Sequence, residues 1–433
     1  MLFLSKLVKK NRLLQKLGWT SGGNQMAHLA KNTDSPTALP HRFPAITLSP
    51  ENVLSIPCPD PTVEDRARDT HQLRGQYLAR QDRWSDLQTE IRAADQDRLA
   101  TPGGMPVAEL LSFGARADVV MAVDHALLDG TPPKGAPLMR GIDALERVLQ
   151  DHADDYPIAV IVAQAHMDIG WAWRGNGWDV EVPLRNRVAF EAHFDRAREI
   201  LSSFSGKREN APALAAAHCA LLGSTDDAGI HVADDYATLI DLNPHNAGPM
   251  RAMGNYLLPR WFGSYDQLEL EARRTAARTQ EIWGAGAYTW VQFDAVSADD
   301  TACARLDLPF FIEGLRDILQ RNPHQHTVNL LASYCANTIG NAFNGNDEAD
   351  HIRMQIADCA DWIVREYLTE LHPMTWAHAA QGFDNNLRVR SANRFAAAGQ
   401  ADALRIIANL FHTEIAKGHR IVFTDEGPHV LSV

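Results

Sequence analysis

Residues 239–264 read LIDLNPHNAGPMRAMGNYLLPRWFGS, and the fold follows from how this stretch is punctuated. Tyr236, Leu239 and Ile240 fall at i, i+3 and i+4, one face of a helix. Asn243-Pro244 predicts a stop followed at once by a start. Asn caps the coming helix with its side-chain oxygen, and Pro suits the first helical position, where its missing N–H would be unpaired anyway. Met250, Met253, Gly254 and Leu257 give a second apolar face, and Gly254 within it predicts a close helix crossing, since Gly there costs about 1 kcal/mol relative to Ala. Pro259 closes that segment. Ser264 with Gln267 fits a capping box, after which Leu268, Ala272 and Ala276 continue the next stripe.

The same punctuation extends in both directions. Thr62 with Asp65 makes a second capping-box pattern, and residues 62–97 read as a helical hairpin. Residues 107–128 and 137–151 form the next pair across a Gly/Pro-rich turn. Residues 156–173 hold a β-branched run at Ile158–Val162, but their length favours a helix. Phe190, Phe194, Ala197 and Leu201 mark a further amphipathic helix, and residues 211–222 and 229–242 another pair. Beyond the opening stretch come helices around Phe311–Leu319, 323–339 and 352–371. A final hairpin is expected from residues 390–395 and 403–415, turning at Ala398-Gly399-Gln400. Only residues 419–424 resemble a strand, with Ile421 and Phe423 alternating.

Helix, Asn-Pro, helix, short loop, helix is the punctuation of tetratricopeptide-like repeats. A wider likeness covers roughly residues 156–295. There WAWRGNGWDVEVPLRNRVAFEAHFDRAREIL and LLPRWFGSYDQLELEARRTA resemble an uncharacterised bacterial family of tetratricopeptide-like helical proteins, with Arg-Gly-x-Gly and Pro-Arg-Trp-Gly-Gly-Ser turns. Phe262 stands here where that family has Gly. The resemblance implies a helical fold and carries no activity and no catalytic residues.

At 433 residues, 45% hydrophobic and 22% charged, the chain has the composition of an ordinary globular protein. The net charge is −13, yet residues 1–33 hold basic side chains and no acidic ones, so the rest is more acidic still. An acidic body disfavours nucleic acid as a partner, because phosphate contacts dominate that affinity. Five scattered cysteines without a CxxC pair point to thiols in a reducing, cytoplasmic setting. No apolar run approaches the ~18 residues of a spanning helix. Residues 1–19 instead form a basic amphipathic segment, and two readings stand: Lys6, Lys9, Lys10, Arg12 and Lys16 make peripheral contact with an anionic inner membrane surface, or the segment is a basic tail that docks on the acidic body or stays mobile. Residues 20–61 are Pro-rich and predict an extended linker or strap.

Two constellations invite a functional reading. Trp171, Trp173, Arg174 and Trp178 crowd one turn, and Arg260-Trp261 forms a second. Tryptophan offers area and cation–π contacts for a partner, and Arg174 with Arg260 would grip a carboxylate if the turns met. The competing expectation is that these tryptophans only wedge helices in the core. His324, His326, His351, Asp347, Glu348, His372 and His378 gather in the C-terminal third without any metal-binding spacing. His166, Asp168 and His193, like His125, His218 and His231, read as solvated or packed helix residues. No nucleophile elbow or phosphate loop occurs, and no cofactor is expected.

The sequence therefore predicts an all-α superhelical solenoid over residues 62–418, with a cap at 419–433. The expected function is a non-catalytic scaffold holding a protein or peptide on its concave face. The alternative is a metal-dependent enzyme built on the C-terminal histidines and acids.

Overall fold

The computed structural model describes residues 53–127, 132, 135–136, 138–175, 182–224, 229, 231–381 and 391–432. The basic segment, most of the strap and Trp178 lie outside the described residues. The chain is mostly helical with a small three-stranded sheet. It divides into two compact units, residues 63–256 and residues 53–62 with 257–432.

The 63–256 unit contains α1 (Val63–Arg80), α2 (Trp84–Gln96), α3 (Val107–Ala126), α4 (Arg140–Asp151), α5 (Tyr156–Arg174), α6 (Leu184–Leu201), the short α7 (Gly206–Glu209), α8 (Pro212–Leu221), α9 (Val232–Leu242) and α10 (Ala247–Tyr256). Alternate helices pack: α1 on α3, α3 on α5, with α5 also against α4 and α6. The α1–α3 crossing brings backbone onto backbone. A Cβ on Gly114 would sit 1.9 Å from the Gln72 carbonyl oxygen, and one on Gly75 2.1 Å from that of Leu111. Only glycine fits either position.

The opening stretch behaves as a helix break, but its cap is displaced. α9 ends at Leu242, Pro244 lies in a turn, and α10 begins at Ala247 with Asn246 Oδ1 accepting from the Gly248 N–H at 3.0 Å. Asn243 is buried and cannot serve the next helix, so Asn246 takes the role expected of it. The Leu242 carbonyl left open by the break accepts from Arg98 Nε at 2.7 Å, and Arg98 Nη2 holds Asn210 Oδ1 at 2.6 Å.

The other unit contains β1 (Leu54–Ser55), α11 (Tyr265–Arg278), α12 (Gln280–Trp283), α13 (Gly286–Ala298), α14 (Asp300–Ala304), α15 (Leu308–Arg321), α16 (Gln325–Ser333), a π-helical turn (Tyr334–Ile339), α17 (Asp347–Tyr367), α18 (Pro373–Ala380), α19 (Ala392–Leu410), α20 (His412–Ala416), β2 (His419–Thr424) and β3 (Gly427–Ser432). Here α11 packs on α13, α13 on α15 and α15 on α17. Ser264 caps α11 as expected, its hydroxyl accepting from the Gln267 N–H at 3.2 Å. Gln325 and Asn329 of α16 bind the segment entering α18: Asn329 Oδ1 accepts from His372 N at 2.9 Å and from the buried Trp376 Nε1 at 3.0 Å.

Two expectations fail in this unit. The hairpin turning at Gly399 is instead one helix, α19, running through that glycine. A Cβ on Gly399 would lie 2.3 Å from the Pro373 carbonyl oxygen, so this glycine serves a tight α18–α19 crossing rather than a corner. The lone strand also has partners. β2 pairs antiparallel with β3 and parallel with β1, giving the order β1-β2-β3, with Leu54 opposite Ile421. Ile421 and Phe423 are buried as the alternation predicts. β1 offers no period in two residues, and β3, exposed along most of its length, shows no apolar alternation.

Candidate functional site

α5 is apolar on almost every face, and residues 156–170 are all buried. Three polar side chains, Gln164, His166 and Asp168, are carried inside with it. Buried polar groups need partners, and two clusters form around this helix.

On one side Arg116 of α3 donates from Nε to Asp168 Oδ2 at 2.8 Å, with the guanidinium fully buried. Among the described residues its Nη1 and Nη2 meet no hydrogen-bond partner. Asp95, at the end of α2, accepts from the Ala213 N–H at 2.9 Å and from the Tyr156 hydroxyl at 3.2 Å. Burial nevertheless pushes the Asp95 carboxyl up to about 6. Burial, with Asp95 adding to it and Arg116 opposing, pushes Glu109 of α3 up to about 7.

On the other side Glu146 of α4 accepts bidentately from Arg196 of α6, both bonds at 2.8 Å, and from His166 Nε2 at 2.9 Å. The Arg196 bonds hold the Glu146 carboxyl below its ordinary value. His166 Nδ1 lies 2.9 Å from His193 Nδ1 of α6. Burial lowers His166, and lowers His193 to about 4 with His166 adding to it. Glu146, His166 and His193 therefore form a continuous chain across three helices. His166, Asp168 and His193 are packed as one of the two expected outcomes held, but as members of ionic networks rather than as isolated helix residues.

The last turn of α5 leaves the core. Trp171, Trp173 and Arg174 are half-buried. Trp171 packs edge-on against Phe190 at 4.9 Å and Phe194 at 5.6 Å between ring centroids, and Arg174 lies over its ring at 5.8 Å. Arg185 covers Trp173 at 5.4 Å, and Asn186 Nδ2 bonds the Trp173 carbonyl at 2.8 Å. Leu184 and Val188, one turn apart on α6, are 69% and 55% exposed. Trp171 thus packs against α6, while Trp173 is half-buried beneath Arg185.

Arg260 and Trp261 belong to the other unit, so the grip of Arg174 with Arg260 on one carboxylate remains a sequence-level expectation. Arg260 Nη1 donates to the Ala298 carbonyl at 3.3 Å. Of the C-terminal histidines, His326 and His372 lie 6.3 Å apart between ring centroids, and His351 and His378 keep separate partners. His372 Nε2 bonds Glu370 at 2.9 Å, His351 bonds Gln355 at 2.9 Å, and His378 packs against Phe395. Among the described residues no three His, Cys, Asp or Glu side chains form a group able to hold a metal ion.

Arg116, Glu146 and Arg196 were not singled out from the sequence. Arg116 had a signal, since it interrupts an apolar helix between Ala115 and Ala117. Glu146 and Arg196 had none, being ordinary residues of amphipathic helices. The chain matches no protein-family model, no curated protein and no solved structure.

Proposed function

We propose that this chain is a non-catalytic helical scaffold of tetratricopeptide-like, superhelical build, holding a protein or peptide partner on a concave face. The packing of alternate helices within each unit supports the stacking. One observation carries the partner reading. α5 is buried for four turns and then presents Trp173 and Arg174 half-exposed beside Leu184 and Val188. Aromatic and arginine side chains at the edge of an apolar patch are the usual anchors of protein interfaces. Arg260 and Trp261 supply a second contact point on the other unit. The test is affinity for a partner captured from the native cell. Trp173→Ala with Arg174→Ala should weaken it about tenfold or more, and unchanged affinity of the folded variant ends the reading.

The basic residues Lys6, Lys9, Lys10, Arg12 and Lys16 are proposed to hold the protein peripherally on the anionic inner surface of the membrane. Among the described residues no helix is long and apolar enough to cross a membrane. Equal sedimentation with anionic vesicles of the full chain and a chain lacking residues 1–20 would remove this proposal.

A further inference from the structure

β3 closes one side of the small sheet, and the apolar row of that sheet runs past it into the open. Cross-strand partners share a face, so Leu54 of β1, Ile421 of β2 and Val430 of β3 form one row on the core side. Leu54 is 4% exposed and Ile421 0%, but Val430 is 46% exposed. α17 reaches β3 at Gly427, where an added Cβ would meet the Arg365 carbonyl oxygen at 4.0 Å, and beyond that point residues 429–432 are all exposed. Among the described residues no strand pairs with the outer edge of β3. Every second N–H and C=O of an edge strand points outward, and such edges are usually blunted by charge or proline. Residues 427–432 read GPHVLS, in which Pro428 blunts the start and no Lys, Asp or Glu guards the rest.

Charge says which strand fits that edge. The turn Asp425-Glu426 is exposed at one end of the β2–β3 hairpin, and Lys417 and Arg420 are exposed at the other, beside Leu431 and Ser432. Arg420 stands roughly 16 Å along the strand from the acidic turn, and among the described residues Arg420, Asp425 and Glu426 make no ion pair. A second copy laid antiparallel along β3 brings its acidic turn to the basic end of the first. The two ends are then two strand spacings apart, about 10 Å, within reach of extended side chains. Symmetry repeats the match at the opposite end. With Val430 opposite its own counterpart, His429 faces Leu431 and no like charges meet.

We propose that the outer edge of β3 is an interface for a second copy of this chain, paired antiparallel about Val430 into one six-stranded sheet. The row Leu54–Ile421–Val430 then continues through the second copy and Val430 is covered. The overlap is small against the ~1,000 Å² of a stable interface, so the dimer is weak and depends on concentration.

The experiment is sedimentation velocity of the full chain from about 1 μM to 1 mM. The wild-type protein should pass from monomer to dimer across that range. Val430→Lys sets two like charges opposite each other and should weaken association about tenfold or more. Lys417→Glu with Arg420→Glu makes the hairpin acidic at both ends, and Asp425→Lys with Glu426→Lys makes it basic at both. Each of these variants alone should associate about tenfold more weakly, and their equimolar mixture should recover the wild-type strength. A wild-type chain that stays monomeric throughout overturns the proposal and leaves the edge to another segment or another protein. Association that Val430→Lys leaves unchanged also overturns it, because the dimer then forms elsewhere, as does a mixture no tighter than its two components. If Val430→Lys fails to fold, the charge-reversed mixture decides alone, since its four substituted side chains are exposed.

Discussion

α5 and α13 are the inner helices of their respective units, and they carry opposite kinds of polarity. The buried polar side chains of α13 are neutral. Thr289 Oγ1 bonds the Phe311 carbonyl at 2.9 Å, the Tyr288 hydroxyl bonds Glu269 at 2.8 Å, and Gln292 Nε2 bonds the same carboxylate at 3.0 Å. Glu269 itself stays near the surface with Arg273. α5 instead takes His166 and Asp168 inside and draws Arg116, Glu146 and His193 to them. Neutral donors, one bonded to backbone and two to a single carboxylate, keep one arrangement while that carboxylate stays ionised. Titratable groups bonded to one another can change state, and that capacity marks α5 as the helix of interest.

The largest expected effect comes from removing a charge beside α5. Asp168→Ala leaves the buried Arg116 guanidinium without the one ion-pair partner it has among the described residues and should cost about 3–5 kcal/mol in denaturant unfolding. Replacing both members by apolar residues of similar volume should recover most of that loss. If it does not, the pair is more than a structural plug. Gly314→Ala tests α13 in return. Its Cβ would stand 2.0 Å from Thr289 Oγ1 and 2.7 Å from the Ala285 carbonyl oxygen, so about 2–3 kcal/mol should be lost at every pH.

Titration separates the helices further. Asp95 has a folded value raised to about 6, so the folded chain binds more protons than the unfolded one. Its contribution is therefore favourable below about pH 4, the unfolded value, and is lost as pH rises through 6. Asp95→Asn should remove that slope and stabilise the protein at pH 8 by on the order of 2 kcal/mol, as read by urea unfolding. His193, lowered to about 4, has the opposite sign. Stability is lost as pH falls from about 6.5 toward 4, because burial disfavours the charged imidazole and the neighbouring His166 adds to that. His193→Gln should flatten the acid limb by on the order of 1–2 kcal/mol. The smallest effect belongs to Trp173→Ala, which removes a half-buried ring at the end of α5 covered by Arg185. Stability should change by no more than about 1 kcal/mol, so any loss of partner binding is a surface effect.

Much of the helical pattern was legible because it needs only local spacing. Tyr236, Leu239 and Ile240 are buried together, and Ser264 caps its helix as read. Glycine misled where its role is set by a neighbour distant in sequence. Gly399 looks like a corner, but the Pro373 backbone facing it makes it a crossing point. The candidate site was half legible for the same reason. The aromatic turn at Trp171–Arg174 is contiguous in sequence. The Arg116–Asp168 and Glu146–His166–His193 networks join residues on separate helices, and each member alone resembles an exposed side chain.

β1 is only two residues long, yet it joins residues near the start of the described chain to β2 near its end. Leu371 N also donates to the Pro57 carbonyl at 2.8 Å, so this early segment is held at two places by residues made much later. During synthesis the ribosome releases residues 63–256 long before β2 exists. That stretch can fold first as a body of its own, while residues 53–62 wait for the far end of the polypeptide to emerge.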